Sequence, residues 1–181
     1  MAGVAFFLEL LFAVQVIFFG DGSWVVQAGL ILSTASLTWA LFVRPQILIF
    51  DEGISVVNPF ATTTYGWADV ESIETQYAFT VESSKGRVVA WAAPAPGRYH
   101  ARNLHVTELK GVEYDRDFGL RPGDSPRSQS GAAAHIARTR LSQFRKFKKV
   151  SSVAPSKRLD YAGIALTGFS LAFLALGYLL G

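Results

Sequence analysis

The stretch RPQILIFDEGISVVNPFATTTYGWADVESIE, residues 44–74, decides the fold. Residues 47–50 and 54–57 are apolar runs of strand length, and Asp51-Glu52-Gly53 between them reads as a tight turn in which Gly supplies a positive φ. Asn58-Pro59 stops the second strand. Residues 62–65 are β-branched and aromatic enough for a third, and Trp67, Val70 and Ile73 follow at a spacing of three.

Toward the C-terminus, residues 76–82 and 87–92 alternate as a second hairpin, turned by Ser83-Ser84-Lys85-Gly86. Five strands are readable, with Trp67 and Trp91 as core aromatics. Pro94-Ala95-Pro96-Gly97 ends the fifth. Residues 100–109 carry a weak helical pattern, and residues 116–130, rich in Gly, Pro and charge, read as an exposed loop. Ser130 can cap a helix over residues 131–149, in which Ala133, Ile136, Ala137, Leu141 and Phe144 form an apolar stripe, with Phe144 pressed on the sheet. The opposite side is basic: Arg138, Arg140, Arg145, Lys146, Lys148 and Lys149. Residues 151–158, ending in Lys157-Arg158, form a basic linker.

The flanks have another chemistry. All 17 Lys and Arg lie within residues 44–158 together with 11 of the 14 acids, which leaves that stretch at +6 and the two ends without a basic residue. Residues 3–20 and 24–43 are apolar runs joined by a short turn holding Asp21, and residues 161–180 are 20 residues without a charge. A helix needs about 20 apolar residues to cross a bilayer core, so residues 1–43 read as a transmembrane hairpin and 159–181 as a third span. A secretory signal peptide would have a basic n-region and no Glu9 in its apolar core. Folded about its turn, the hairpin brings Glu9 level with Ser33 and Thr34, and Gln15 level with Gln27, for intramembrane polar contacts. The last span offers two small-residue faces, Gly163/Thr167/Ser170 and Gly168/Ala172/Ala175. Pro45 ends the second helix, and Arg44 can snorkel to the headgroups. By the positive-inside rule, Arg44 and the basic residues 145–158 place the middle domain, residues 44–150, in the cytoplasm.

The order Arg-Pro, strand, acidic turn, strand, Asn-Pro, Thr-rich strand, Trp-x-x-Val resembles the membrane-tethered bacterial PH-like domain proteins of actinobacteria, the low-molecular-weight protein antigen 6 group. AWAAPAPGR (residues 90–98) and RPGDSPRSQSGAAAH (residues 121–135) are similar to segments of that family. The resemblance implies an integral membrane α protein with a small α+β domain, a PH-like antiparallel β-structure followed by a C-terminal helix. It implies no enzymatic activity. A full PH-like fold has seven strands, two more than are readable here.

No catalytic template is met. Asp51-Glu52 and Asp115/Asp117 are turn carboxylates, His100, His105 and His135 lack zinc-site spacing, and Gly123-Asp124-Ser125 lacks the strand and helix of a nucleophile elbow. No metal or cofactor is expected, and without a reading motif or aromatic platform the basic charge does not point to nucleic acid. Arg138, Arg145, Lys146, Lys148, Lys149, Lys157 and Arg158 are the candidate contacts to anionic headgroups, each worth about 1 kcal/mol beside an anionic leaflet. Two functions fit: a membrane-anchored interaction module for lipid headgroups or a protein partner, or an accessory subunit of an envelope complex acting through its membrane helices and Glu9.

Overall fold

A computed structural model describes residues 2–19, 23–96, 122–147 and 152–180. In chain order the elements are α1 (Ala2–Phe19), α2 (Trp24–Thr38) running into a π-helical turn (Trp39–Val43), β1 (Gln46–Ile49), β2 (Gly53–Asn58), β3 (Ala61–Gly66), β4 (Val70–Glu74), β5 (Ala78–Ser83), β6 (Gly86–Pro94), a 3-10 turn (Pro122–Asp124), α3 (Gln129–Lys146), β7 (Ser156–Leu159) and α4 (Tyr161–Leu180). They form two units: Met1–Pro45 with Leu159–Gly181, and Gln46–Arg158.

In the β unit two antiparallel sheets form, one ordered β1-β2-β3-β7 and the other β4-β5-β6. The first hairpin aligns Ile49 with Ile54, closed by Phe50 N–H donating to the Gly53 carbonyl at 3.0 Å. A Cβ on Gly53 would strike the Tyr65 carbonyl oxygen, so close approach rather than a positive φ requires this glycine. The positive φ among the described glycines belongs to Gly86, in the β5–β6 turn.

Two strands beyond the five expected are β4 and β7. β4 carries a register shift between Val70 and Ser72, so Val70 and Ile73 both point inward from positions three apart, which mimics helical spacing. β7, Ser-Lys-Arg-Leu, is largely exposed and has no apolar alternation to betray it.

Ile54, Val56, Tyr65, Trp67, Phe79 and Val81 of the sheets meet Ala134, Ala137, Leu141 and Phe144 of α3 in one core. Trp67 is buried, with its indole N–H donating to the Phe50 carbonyl at 3.0 Å. Burying Leu141 and Phe144 stabilises the helix on the sheet by about 1.5–3 kcal/mol each. Trp91 departs from expectation: Val88 and Ala90 face the core, so Val89 and Trp91 on the same strand face outward, and Trp91 is 55% exposed. Ile136 is also outward, and Ala134 takes its place in the buried stripe.

The cap of α3 is Ser128 rather than Ser130. Ser128 Oγ accepts from Gly131 N–H at 2.9 Å, while Ser130, fully buried within the helix, donates to the Gly123 carbonyl at 3.0 Å. The segment before the helix is likewise not an exposed loop, because Asp124 and Ser125 are buried. The weak helical pattern of residues 100–109 lies outside the described residues, as do the first part of the expected loop and the Asp21 turn.

In the helical unit, Trp24–Val43 and Tyr161–Leu179 are each long and apolar enough to cross a membrane, whereas the apolar stretch of α1, Gly3–Phe18, is shorter. Of the two small faces on α4, the one used is Gly163, Thr167, Ser170 and Gly177, all buried. The buried small residues of α2 are Gly29, Ser33 and Ser36, followed by Ala40 in the π-helical turn, with Ser36 Oγ and Ser170 Oγ 3.1 Å apart. Gly168 faces open space. Glu9 accepts from Thr34 Oγ1 at 2.7 Å and from Thr38 Oγ1 at 3.3 Å, whereas Gln15 is exposed. Arg44 and Asp160, at the adjoining ends of the two long helices, pair at 2.7 Å.

Candidate ligand-binding surface

Two of the basic residues singled out on α3, Arg138 and Arg145, are hydrogen-bonded into the fold. Arg138 lies on the buried stripe, four residues after Ala134 and three before Leu141. Its Nε and Nη2 donate to the Ile73 carbonyl at 3.2 and 2.8 Å, and its Nη1 pairs with Asp124 Oδ1 at 2.9 Å. Thr75 Oγ1 donates to the same carboxylate oxygen at 2.7 Å. Arg138 therefore welds α3 to β4. Arg145 follows the same pattern, with Nη2 donating to the Val70 and Glu71 carbonyls at 3.0 Å each. Arg140 pairs with Asp51 at 3.0 Å in an exposed bridge of little worth. Lys146 sits 6.0 Å from the Phe147 ring, Arg158 is exposed on β7, and Lys148 and Lys149 lie outside the described residues.

Positive charge instead converges on a groove of about 610 Å³ between the β2–β3 hairpin, the β5–β6 turn and β7. Three elements set its walls. Asn58 pins the β2–β3 hairpin to β6: its Nδ2 donates to the Val89 carbonyl at 2.8 Å and its Oδ1 accepts from Trp91 N–H at 2.9 Å. Gly86, at a φ of 136°, turns the chain so that Lys85 and Arg87 flank the opening. β7, paired to β3, brings Ser156 and Lys157.

Among the described residues no Asp or Glu lines this groove. Lys85 and Lys157 have no carboxylate partner among the described residues, and Arg87 reaches Glu82 only at 3.7 Å with both side chains well exposed. Tyr65 contributes its phenol to the floor, and burial pushes that phenol up from its ordinary pKa. Of the predicted contacts among the described residues, Lys157 alone is here. Lys85, Arg87 and Asn58 escaped sequence reading, although Lys-Gly-Arg at a hairpin turn, Lys85 to Arg87, is a usable signal.

No curated protein and no solved structure matches the chain. Residues 44–105, which hold β1 to β6, match the family model described as "Bacterial PH domain", and the chain thus carries a bacterial PH-like domain.

Proposed function

We propose that the chain is a non-enzymatic, membrane-anchored interaction module whose PH-like domain works at the cytoplasmic membrane surface on anionic lipid headgroups. PH-like domains are in general interaction modules rather than enzymes. The observation that carries the reading is the shortness of the two joints: Arg44 and Pro45 alone separate the π-helical turn from β1, and Asp160 alone separates β7 from α4. A residue spans at most about 3.6 Å, so a domain joined this way to two bilayer-spanning helices is confined to the headgroup region. The resemblance to the actinobacterial antigen 6 group is part of the same reading.

Alkaline carbonate extraction of membranes from cells expressing the full chain tests the anchoring. Retention in the pellet supports it, and release into the supernatant contradicts it. Glu9, the residue on which the accessory-subunit reading rests, accepts from Thr34 and Thr38 of the same chain, one to each carboxylate oxygen.

A further inference from the structure

We infer that the groove between the β2–β3 hairpin, the β5–β6 turn and β7 is a binding site for a phosphate-bearing polyanion. Three cations from two separate parts of the chain, Lys85 and Arg87 at the β5–β6 turn and Lys157 on β7, line one concavity in which no carboxylate stands among the described residues. The one counter-charge paired with these cations among the described residues is loose and exposed, Glu82 at 3.7 Å from Arg87, so the gathered like charges still repel one another, and an anion between them relieves that repulsion through charge-assisted hydrogen bonds. The hydroxyls of Tyr65 and Ser156, which also line the groove, add neutral donors that a phosphate oxygen accepts from. Arg87 supplies a planar fork and the two lysines supply point charges, a mixture suited to tetrahedral oxyanions.

The basic charge elsewhere contrasts with this. Arg138 and Arg145 donate to β4 carbonyls and Arg140 pairs with Asp51 at 3.0 Å, whereas among the described residues the three groove cations have no carboxylate closer than Glu82, 3.7 Å from Arg87. A phosphate of this kind comes either as the headgroup of an anionic lipid or as a free phosphate compound. The inference deepens the membrane-surface reading above by naming its ligand class and its site, and β7, which supplies Lys157, runs within one residue into α4.

The test is calorimetric titration of inorganic pyrophosphate into the full-length protein held in phosphatidylcholine nanodiscs. Saturable binding is expected. The triple variant Lys85→Gln/Arg87→Gln/Lys157→Gln should weaken it at least about tenfold, with an unchanged melting temperature. A control triple of equal charge outside the groove, Arg127→Gln/Lys146→Gln/Arg158→Gln, should change it less than about threefold. Repeating the titration with phosphatidylglycerol in the nanodisc separates the sources: weaker pyrophosphate binding means that the headgroup occupies the groove, and unchanged binding means that the ligand is a free phosphate. Absence of saturable binding, or equal loss in the two triples, overturns the site. If carbonate releases the chain from membranes, the anchoring reading falls while the pyrophosphate titration, repeated in detergent-free buffer, still decides the groove.

Discussion

Arg138 and Asp124, fourteen residues apart, meet at 2.9 Å with the carboxylate 7% exposed, and the same guanidinium grips the Ile73 carbonyl. This one contact joins α3, the turn before it and β4. Asp124→Ala strips both the guanidinium and the buried Thr75 hydroxyl of their acceptor, and is expected to cost about 3 kcal/mol. Arg138→Lys keeps the charge but cannot fork between a carbonyl and a carboxylate, and should cost about 1–2 kcal/mol. Thermal unfolding followed by near-ultraviolet circular dichroism checks the order of the two.

The Pro-Gly-Asp-Ser turn and the first turn of α3 leave no room for a side chain at Gly123 and Gly131. A Cβ on Gly123 would strike the Thr75 carbonyl oxygen, and one on Gly131 the Ser125 carbonyl oxygen. Gly123→Ala and Gly131→Ala should each destabilise the domain by about 1–3 kcal/mol, because the obstacle is backbone rather than a flexible side-chain end. Equal stability of the Gly123→Ala variant and the parent protein would show that the turn is not held against Thr75, the residue after β4.

These residues mark the limit of what could be read in advance. The hairpins β1–β2 and β5–β6 were legible because apolar runs bracket turn residues, and the buried stripe of α3 because 137, 141 and 144 recur at helical spacing. β4 was obscured by its bulge, β7 by its polarity, and Trp91 by an expectation set by residue type instead of by alternation from Val88 and Ala90. Arg138 sits at a stripe position, yet its charge assigned it to the solvent side. The groove was illegible because its walls are some seventy residues apart in sequence, from Lys85 to Lys157, and only tertiary pairing of β7 with β3 closes it.

Close packing of α2 on α4 rests on Gly29, where an added Cβ would lie 2.8 Å from the Leu174 Cα. Gly29→Val should push the two helices apart and lower the detergent-solubilised melting temperature by several degrees, whereas Gly168→Val, facing open space, should change it by about one degree or less. Matching losses at the two positions would contradict the assigned face.

Burial holds the Tyr65 phenol above its ordinary pKa, so the folded domain resists an ionisation that the unfolded chain undergoes from about pH 10. Above that pH the unfolded state releases the proton first, and stability falls as pH rises through the interval between the unfolded and folded values. Tyr65→Phe should remove this contribution. The melting temperature of the variant should therefore decline less than that of the parent between pH 9 and pH 11, and parallel declines would contradict it.

We propose above that the PH-like domain is held at the cytoplasmic face by the helices on either side of it. The test places a single cysteine at Ser84, in the exposed β5–β6 turn, or at Ser23, the exposed cap of α2, in a chain that has no native cysteine. Intact cells are then labelled with a membrane-impermeant maleimide. Labelling at Ser23, with Ser84 protected until the cells are permeabilised, is the predicted result. Labelling of Ser84 in intact cells would turn the domain outward and contradict the account.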